Sequence, residues 1–462
     1  MFLETIRSEG LAHNSYLVGD GALAAVIDPS RDVDRYVDAA NARGARITLI
    51  FETHRNEDYI SGASELSRRT GAAVWRGDSP DYTVPYAKTI QEGQIFEIGA
   101  VRLWTLATPG HTDDSISIAF AHLETGERAL GVFTGDALFV ADVGRTDFYP
   151  QRSEEVAGLL FDSLHGKLLP LGDQAVIYPA HGAGSVCGAG MAQRDISTIG
   201  YERLQNARLQ LSRDAFIAAK LAEHHYYPPY FHRMEAANQG ADPELAALPV
   251  CGPLTVAEAE SALQGGAQLL DLRTGEALSG GYIPGAFAVP IDMLSSFGGW
   301  FLQYDRGLVL ILDRPGDRER AVRLLVRLGY DRIVGFLIKG FEAWSIAARP
   351  IVAIPGMDVH ELRRRMLSAQ PPHLLDVRDH DEFARGHLEG AQHVYVGEVQ
   401  QRFAELPEGP LVTFCASGRR ALIAAAALTR LGRQDVSVCW GSMKAWMVAG
   451  YPIAPHDGTT SQ

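Results

Sequence analysis

The sequence predicts a multidomain α/β protein: a layered, sheet-rich first half followed by two doubly wound parallel-sheet domains. Three observations carry that reading. The chain has 462 residues, more than one hydrophobic core ordinarily organises. In its first half, short apolar runs that end in polar residues alternate with helical patterns. In its second half, one αβ pattern occurs twice at a fixed spacing. Hydrophobic residues make up 46% and charged residues 21%, the balance of a globular chain rather than a disordered one.

In the first half, LAAVIDP (23–29) and ITLIFETH (47–54) read as buried strands, separated by a helix near Val33 to Arg43. VRLWTLATPGH (101–111), RALGVFTGD (128–136) and QAVIYPAHG (174–182) are further strands. Each run delivers a polar residue just past its C-terminal end, where a rigid strand can hold a loop residue in a fixed place. NQGADPELAALPVCGPL (238–254) reads as a linker.

Beyond the linker, LLDLRTGEALSGGYIPGAFAVP (269–290) parallels LLDVRDHDEFARGHLEGAQHVY (374–395). Asp271 and Asp376 lie 105 residues apart, as do Gly285 and Gly390. The copies close on GFEAW (340–344) and GSMKAW (441–446), and RPIVAIPG (349–356) joins them. Strands alternating with helices in units of this length argue for a parallel, doubly wound sheet in each. The expected domains are therefore 1–245, 252–350 and 355–458.

The net charge is −14 and no long basic run occurs, which argues against a nucleic-acid or anionic-membrane partner. No stretch approaches the 18 or so apolar residues of a membrane span, and MFLETIRSEG lacks the pattern of a secretory signal. The four cysteines, Cys187, Cys251, Cys415 and Cys439, are too widely spaced for a disulfide framework. A reducing cytoplasm is the expected location.

The sharpest signal is an ordered set: THRNEDY (53–59), TPGHTDDS (108–115), TGDALF (134–139) and PAHG (179–182). It resembles the metallo-β-lactamase superfamily, whose first motif is His-x-His-x-Asp-His, and the resemblance implies an αββα sandwich over roughly the first 240 residues. Here the motif reads His54-Arg55-Asn56-Glu57-Asp58-Tyr59, so two of the family's usual ligand histidines are absent. Asn56 offers only a neutral amide, and a Tyr59 phenol ionises only near pH 10. A second metal would keep Asp58 and His181 with a shared Asp136, which is thin support. His54, His111 and Asp136 still make the two-histidine, one-carboxylate set that leaves positions on Fe(II) open for oxygen and substrate.

That trio is also the iron-ligand set of the persulfide dioxygenases within the superfamily, and GDALFVADVGRTDF (135–148) is similar to their sequence around the aspartate. The resemblance implies one Fe(II) per chain and oxidation of a low-molecular-weight thiol persulfide by O2 and water to sulfite and thiol. Asp58 and Tyr59 are then free to line the pocket. Arg145 could bind a substrate carboxylate, since guanidinium matches its geometry; an ion pair with Asp147 or Asp142 is the competing role. The aromatic stretch HHYYPPYFHRM (224–234) reads as core.

In the last domain, LVTFCASGRRALIAAAALTRLG (411–432) is a strand, a short loop and an Ala-rich helix. Cys415 ends the strand, and Ala416, Ser417, Gly418, Arg419 and Arg420 complete the loop. Converging backbone N–H groups, a helix N-terminus and two arginines favour thiolate over thiol. The segment resembles the active-site loop of rhodaneses, single-cysteine sulfurtransferases, and the resemblance spans the domain. It implies Cys415 as persulfide carrier, with Arg419, Arg420, Ser417 and Gly418 around it. A cysteine phosphatase shares such a loop but binds a larger oxyanion; the flanking motifs favour sulfur transfer. In the middle copy, LVLILDRPGDRERAVRLLVRLG (308–329) places Asp313 where Cys415 lies, and a carboxylate carries no persulfide. That copy is expected to be silent.

Together these resemblances imply a short circuit: sulfite made at the iron site, and sulfane sulfur carried by Cys415 to sulfite, giving thiosulfate, or drawn from thiosulfate in reverse. The identity of the thiol stays open, as does a homo-dimer or higher homo-oligomer. A two-zinc thioester hydrolase of the glyoxalase II type is the rival.

Overall fold

The computed structural model describes residues 1–186, 188, 190–241 and 245–454; Cys187 lies outside them. Two compact units emerge, Met1–Leu248 with Arg323–Gly329, and Pro249–Val322 with Tyr330–Gln462. No helix among the described residues is long and apolar enough to cross a membrane.

The first unit holds two six-stranded sheets. One runs in chain order through β1 (Phe2–Ser8), β2 (His13–Asp20), β3 (Leu23–Ile27), β4 (Arg46–Glu52), β5 (Ala73–Arg76) and β6 (Ala87–Thr89). The other contains β7 (Ile95–Ile98), β8 (Val101–Ala107), β9 (Ile116–His122), β10 (Gly131–Gly135), β11 (Val176–Pro179) and β12 (Ser197–Thr198), again with sequence neighbours side by side.

Side chains alternate across each strand, and both faces of the first sheet are covered. Val18, Ile27 and Phe51 point inward against Leu103, Ile118 and Phe133 of the second sheet. Leu17, Val26 and Ile50 point outward, under Tyr36 and Ala40 of the helix Asp34–Ala42 and Leu66 of the helix Ala63–Thr70. Two-sided burial explains why β3 reads as an unbroken apolar run. On the far side, Leu160 of the helix Ser153–Ser163 packs with Val132 and Ile177. The layers are therefore helix, sheet, sheet, helix, as expected.

The second unit contains two parallel five-stranded sheets. β13 (Pro253–Leu254), β14 (Gln268–Asp271), β15 (Phe287–Ala288), β16 (Leu308–Ile311) and β17 (Ile333–Leu337) lie in the order β13-β17-β16-β14-β15. β18 (Gly356–Met357), β19 (His373–Asp376), β20 (Ala391–His393), β21 (Leu411–Phe414) and β22 (Val436–Cys439) repeat it as β18-β22-β21-β19-β20. The repeat extends to side chains. Arg273 clamps Asp271 and donates to the Gly281 carbonyl, while Arg378 clamps Asp376 and donates to the Gly386 carbonyl. Indole Nε1–H groups pin each copy's end: Trp344 to the Pro350 carbonyl and Trp446 to the Pro452 carbonyl, both at 2.9 Å.

Strand register corrects one expectation. Asp271 pairs with Ile311, and Asp376 pairs with Phe414. The residue after Phe414 is Cys415, so its counterpart after Ile311 is Leu312, not Asp313. Counted from the strand starts, Leu308 matches Leu411, so Asp313 lies one residue beyond the position of Cys415. Asp313 instead accepts a hydrogen bond from the Thr274 backbone N–H at 2.9 Å. An isobutyl side chain carries no sulfur either, so the thiol is missing from this copy on corrected grounds.

Candidate functional site

Four loops meet at one end of the sandwich. His54 follows β4, His111 follows β8, Asp136 follows β10 and His181 follows β11, and all four are buried. The close approach of β10 to the His54 loop depends on Gly135, at φ 53°. A β-carbon there would stand 2.7 Å from Thr53 Oγ1, so any side chain would push the two loops apart.

His54 Nε2 lies 3.7 Å from Asp136 Oδ2, and His111 Nε2 lies 3.5 Å from the same oxygen. Two donors each about 2.1 Å from one ion sit roughly 3.0–3.4 Å apart for octahedral or tetrahedral angles, so a contraction of a few tenths of an ångström would bring both pairs onto a single metal. The tautomers suit it too. His111 Nδ1 faces the Arg145 carbonyl at 2.9 Å; a carbonyl only accepts, so Nδ1 carries the proton and Nε2 keeps its lone pair. Thr53 Oγ1 donates to Asp28 at 2.8 Å, which leaves it to accept from His54 Nδ1, also at 2.8 Å. His54 Nε2 is then a lone pair as well. Both Nε2 atoms are buried with no hydrogen-bond partner among the described residues. Burial pushes His54 down to about 3, keeping it in the neutral, ligating form. Burial opposes charge on Asp136 too, but His181 and His54 outweigh it and hold that carboxyl below its usual range. Buried lone pairs that converge beside a carboxylate suit a cation between them, so the residues fit a divalent metal.

Beside this point, His181 is spent on two carboxylates. Its Nδ1 lies 2.8 and 2.9 Å from the Asp136 oxygens, and its Nε2 lies 3.1 Å from Asp58 Oδ2. Asn56 turns its amide nitrogen to the His54 carbonyl at 3.4 Å. Tyr59 is buried with its ring 4.2 Å from His13, and burial raises its hydroxyl well above the ordinary value. The side where a second ion would need ligands is occupied by this hydrogen-bonded chain.

In the last sheet, Cys415 follows β21 and is buried. Gly418, at φ 103°, donates its N–H to Cys415 Sγ at 3.1 Å and opens the helix Arg419–Arg430. The Cys415 N–H donates to Ser442 Oγ at 3.1 Å, and the Ser417 carbonyl accepts from Gly441 N at 3.2 Å. The loop is thus tied to the Gly441 turn. Arg420 makes a bidentate pair with Glu382 at 2.6 and 2.8 Å, and Arg419 pairs with Asp292. Both guanidiniums are held by carboxylates. In the middle copy, the fourth residue past Ile311 is Pro315, where the last copy has Gly418. Proline has no N–H to give.

The family model described as the metallo-beta-lactamase superfamily matches residues 9–181, and the rhodanese-like domain matches 255–347 and 358–449. A metallo-beta-lactamase from Staphylococcus aureus, known from its crystal structure, is 30% identical with a TM-score of 0.65; the match covers 73% of this chain and 98% of that one. The chain belongs to the metallo-beta-lactamase superfamily. Among curated relatives, the persulfide dioxygenase ETHE1 of Bos taurus is 30% identical over 44% of this chain and 74% of its own length. Hydroxyacylglutathione hydrolase GloC of Haemophilus influenzae is 27% identical over 41% of this chain and 94% of its own.

Within this metallo-beta-lactamase domain, Arg145 takes the ion-pair role that the sequence left open beside carboxylate binding. It is buried and engaged inside the fold. It binds Asp147 at 2.6 and 2.7 Å, donates to the Val186 and Tyr226 carbonyls, and lies over the Phe148 and Phe231 rings. Phe231 belongs to the aromatic stretch read as core, and it is buried. Glu57 has no role in the sequence reading, yet it is buried beside His111, its Oε2 3.7 Å from Nε2. His54, Glu57 and His111 each present one ligand atom, all within 4.8 Å of one another. The signal in the sequence is its place inside the first motif, three residues past His54.

Proposed function

We propose that the chain is an iron-dependent persulfide dioxygenase joined to a sulfurtransferase. The observation that carries this reading is the pairing of two histidine lone pairs with one carboxylate at the first metal position, beside a second position filled by Asp58, His181 and Asp136 in mutual hydrogen bonds. One metal with open faces suits oxygen chemistry, whereas a hydrolase built on two zinc ions needs a second ligand set. The similarity to a persulfide dioxygenase supports the same choice; the hydroxyacylglutathione hydrolase is the competing relative.

One Fe(II) per chain, held by His54, His111 and Asp136, would supply dioxygen binding and electron exchange with sulfur. The protein's part is to keep both imidazoles neutral and oriented through Thr53 and the Arg145 carbonyl. It also keeps the site dry, since every group named is buried. In the balanced reaction, a thiol persulfide, O2 and water give the thiol, sulfite and two protons. The unpartnered oxygens of Asp58 and Tyr59 are the groups offered to substrate.

Cys415 takes the outer sulfur of a second persulfide. Its thiolate attacks that sulfur, and the carrier thiol leaves as thiolate. Sulfite then attacks the outer sulfur of the cysteine persulfide, the S–S bond breaks toward Cys415, and thiosulfate departs. Gly418 N–H stabilises negative sulfur at 3.1 Å. Arg420, fixed by Glu382, and Arg419 supply positive charge near the anions. The middle rhodanese-like domain takes no part in transfer.

Purified protein given glutathione persulfide should consume oxygen and release sulfite, and His111→Ala should abolish both. Cleavage of a glutathione thioester with no oxygen uptake would overturn the reading.

A further inference from the structure

We propose that Glu57 is a fourth protein ligand of the metal, completing a set of His54, Glu57, His111 and Asp136. The inference rests on the reading that this site holds a metal ion.

Glu57 is 1% exposed. A buried carboxylate is paired, coordinates a cation or is neutralised by a proton. Arg55 Nη2 reaches only its Oε1, at 3.3 Å; Oε2 is buried with no hydrogen-bond partner among the described residues. That oxygen faces His111 Nε2 across 3.7 Å. The His111 proton sits on the other ring nitrogen, held by the Arg145 carbonyl. With that tautomer two acceptors confront each other in a dry site, a contact that a metal cation between them would satisfy. The spacing equals that between His54 Nε2 and Asp136 Oδ2, and His54, Glu57 and His111 each bring one ligand atom within 4.8 Å of the others.

The consequence is chemical. Two neutral imidazoles and two carboxylates balance a divalent charge, which suits a buried centre. A six-coordinate ion would then keep two faces for substrate and oxygen instead of three. The resident metal would be bound more tightly and presented to substrate in a narrower geometry.

The test uses metal-free full-length protein titrated with Co(II), read by visible absorption and by competition with a chelator. Glu57→Gln keeps the size and removes the charge. It should weaken Co(II) binding at least tenfold and move the absorption bands, with unchanged circular dichroism. Affinity and spectrum equal to the unaltered protein would overturn the proposal. If His111→Ala loses Co(II) while Glu57→Gln does not, the metal reading stands and the Glu57 ligand falls. If the unaltered protein binds no Co(II), both fall together. Should Glu57→Gln not fold, anomalous diffraction from crystals of the unaltered protein soaked in Co(II) decides. An ion within about 2.2 Å of Oε2 supports the proposal, and one beyond bonding distance refutes it.

Discussion

His181 holds Asp136 by a forked contact, its Nδ1 2.8 Å from one carboxylate oxygen and 2.9 Å from the other. The same ring reaches Asp58 through Nε2. A residue that sits in a ligand position by motif is thus hydrogen-bonded to the proposed ligand Asp136.

His181→Ala should lower metal affinity about 10- to 100-fold, the usual cost of losing an orienting hydrogen bond behind a ligand. Chelator competition on the purified variant measures it. Complete loss of metal would place His181 among the ligands instead, and no loss would show that Asp136 needs no support.

Restoring the missing thiol should not restore function in the middle domain. Leu312→Cys places sulfur at the position of Cys415, but Pro315 cannot donate the N–H that Gly418 gives. After incubation with thiosulfate, the variant should carry no persulfide at position 312. Sulfur found there would show that the loop amide is dispensable.

Sulfur loading should be confined to Cys415 among the three cysteines described. Burial pushes the Cys439 thiol up to about 12 and raises Cys251 as well, so both stay protonated and unreactive near neutral pH. For Cys439 the thiolate appears only as pH nears 12. Peptide mass spectrometry after thiosulfate treatment should find one added sulfur on Cys415. Cys415→Ser should stop thiosulfate formation while sulfite release continues.

The last domain should lean heavily on Trp446. The indole is fully buried, packs with Phe414 and Tyr451, and is pinned to the Pro452 carbonyl. Trp446→Ala should destabilise that domain by about 3–5 kcal/mol, read from urea unfolding followed by circular dichroism. A loss under about 1 kcal/mol would mean that the site collapses to fill the space.

The layered fold and the meeting of His54, His111 and Asp136 were legible because strand periodicity and motif order are local features of the chain. What was not legible depended on partners distant in sequence. Arg145 reads equally as a carboxylate binder or as a structural cation; only the packing of Asp147, Phe148 and Phe231 around it decides. Glu57 reads as an ordinary solvated acid, and its burial follows from how the first motif's loop turns against His111. Asp313 lies one residue past the position of Cys415, a displacement that strand register exposes.

The most direct test of the central claim is metal content and oxygen uptake on one purified sample. The account predicts a single iron per chain, with oxygen consumed and sulfite formed when glutathione persulfide is added. Two zinc ions per chain with thioester cleavage, and no oxygen consumed, would contradict it.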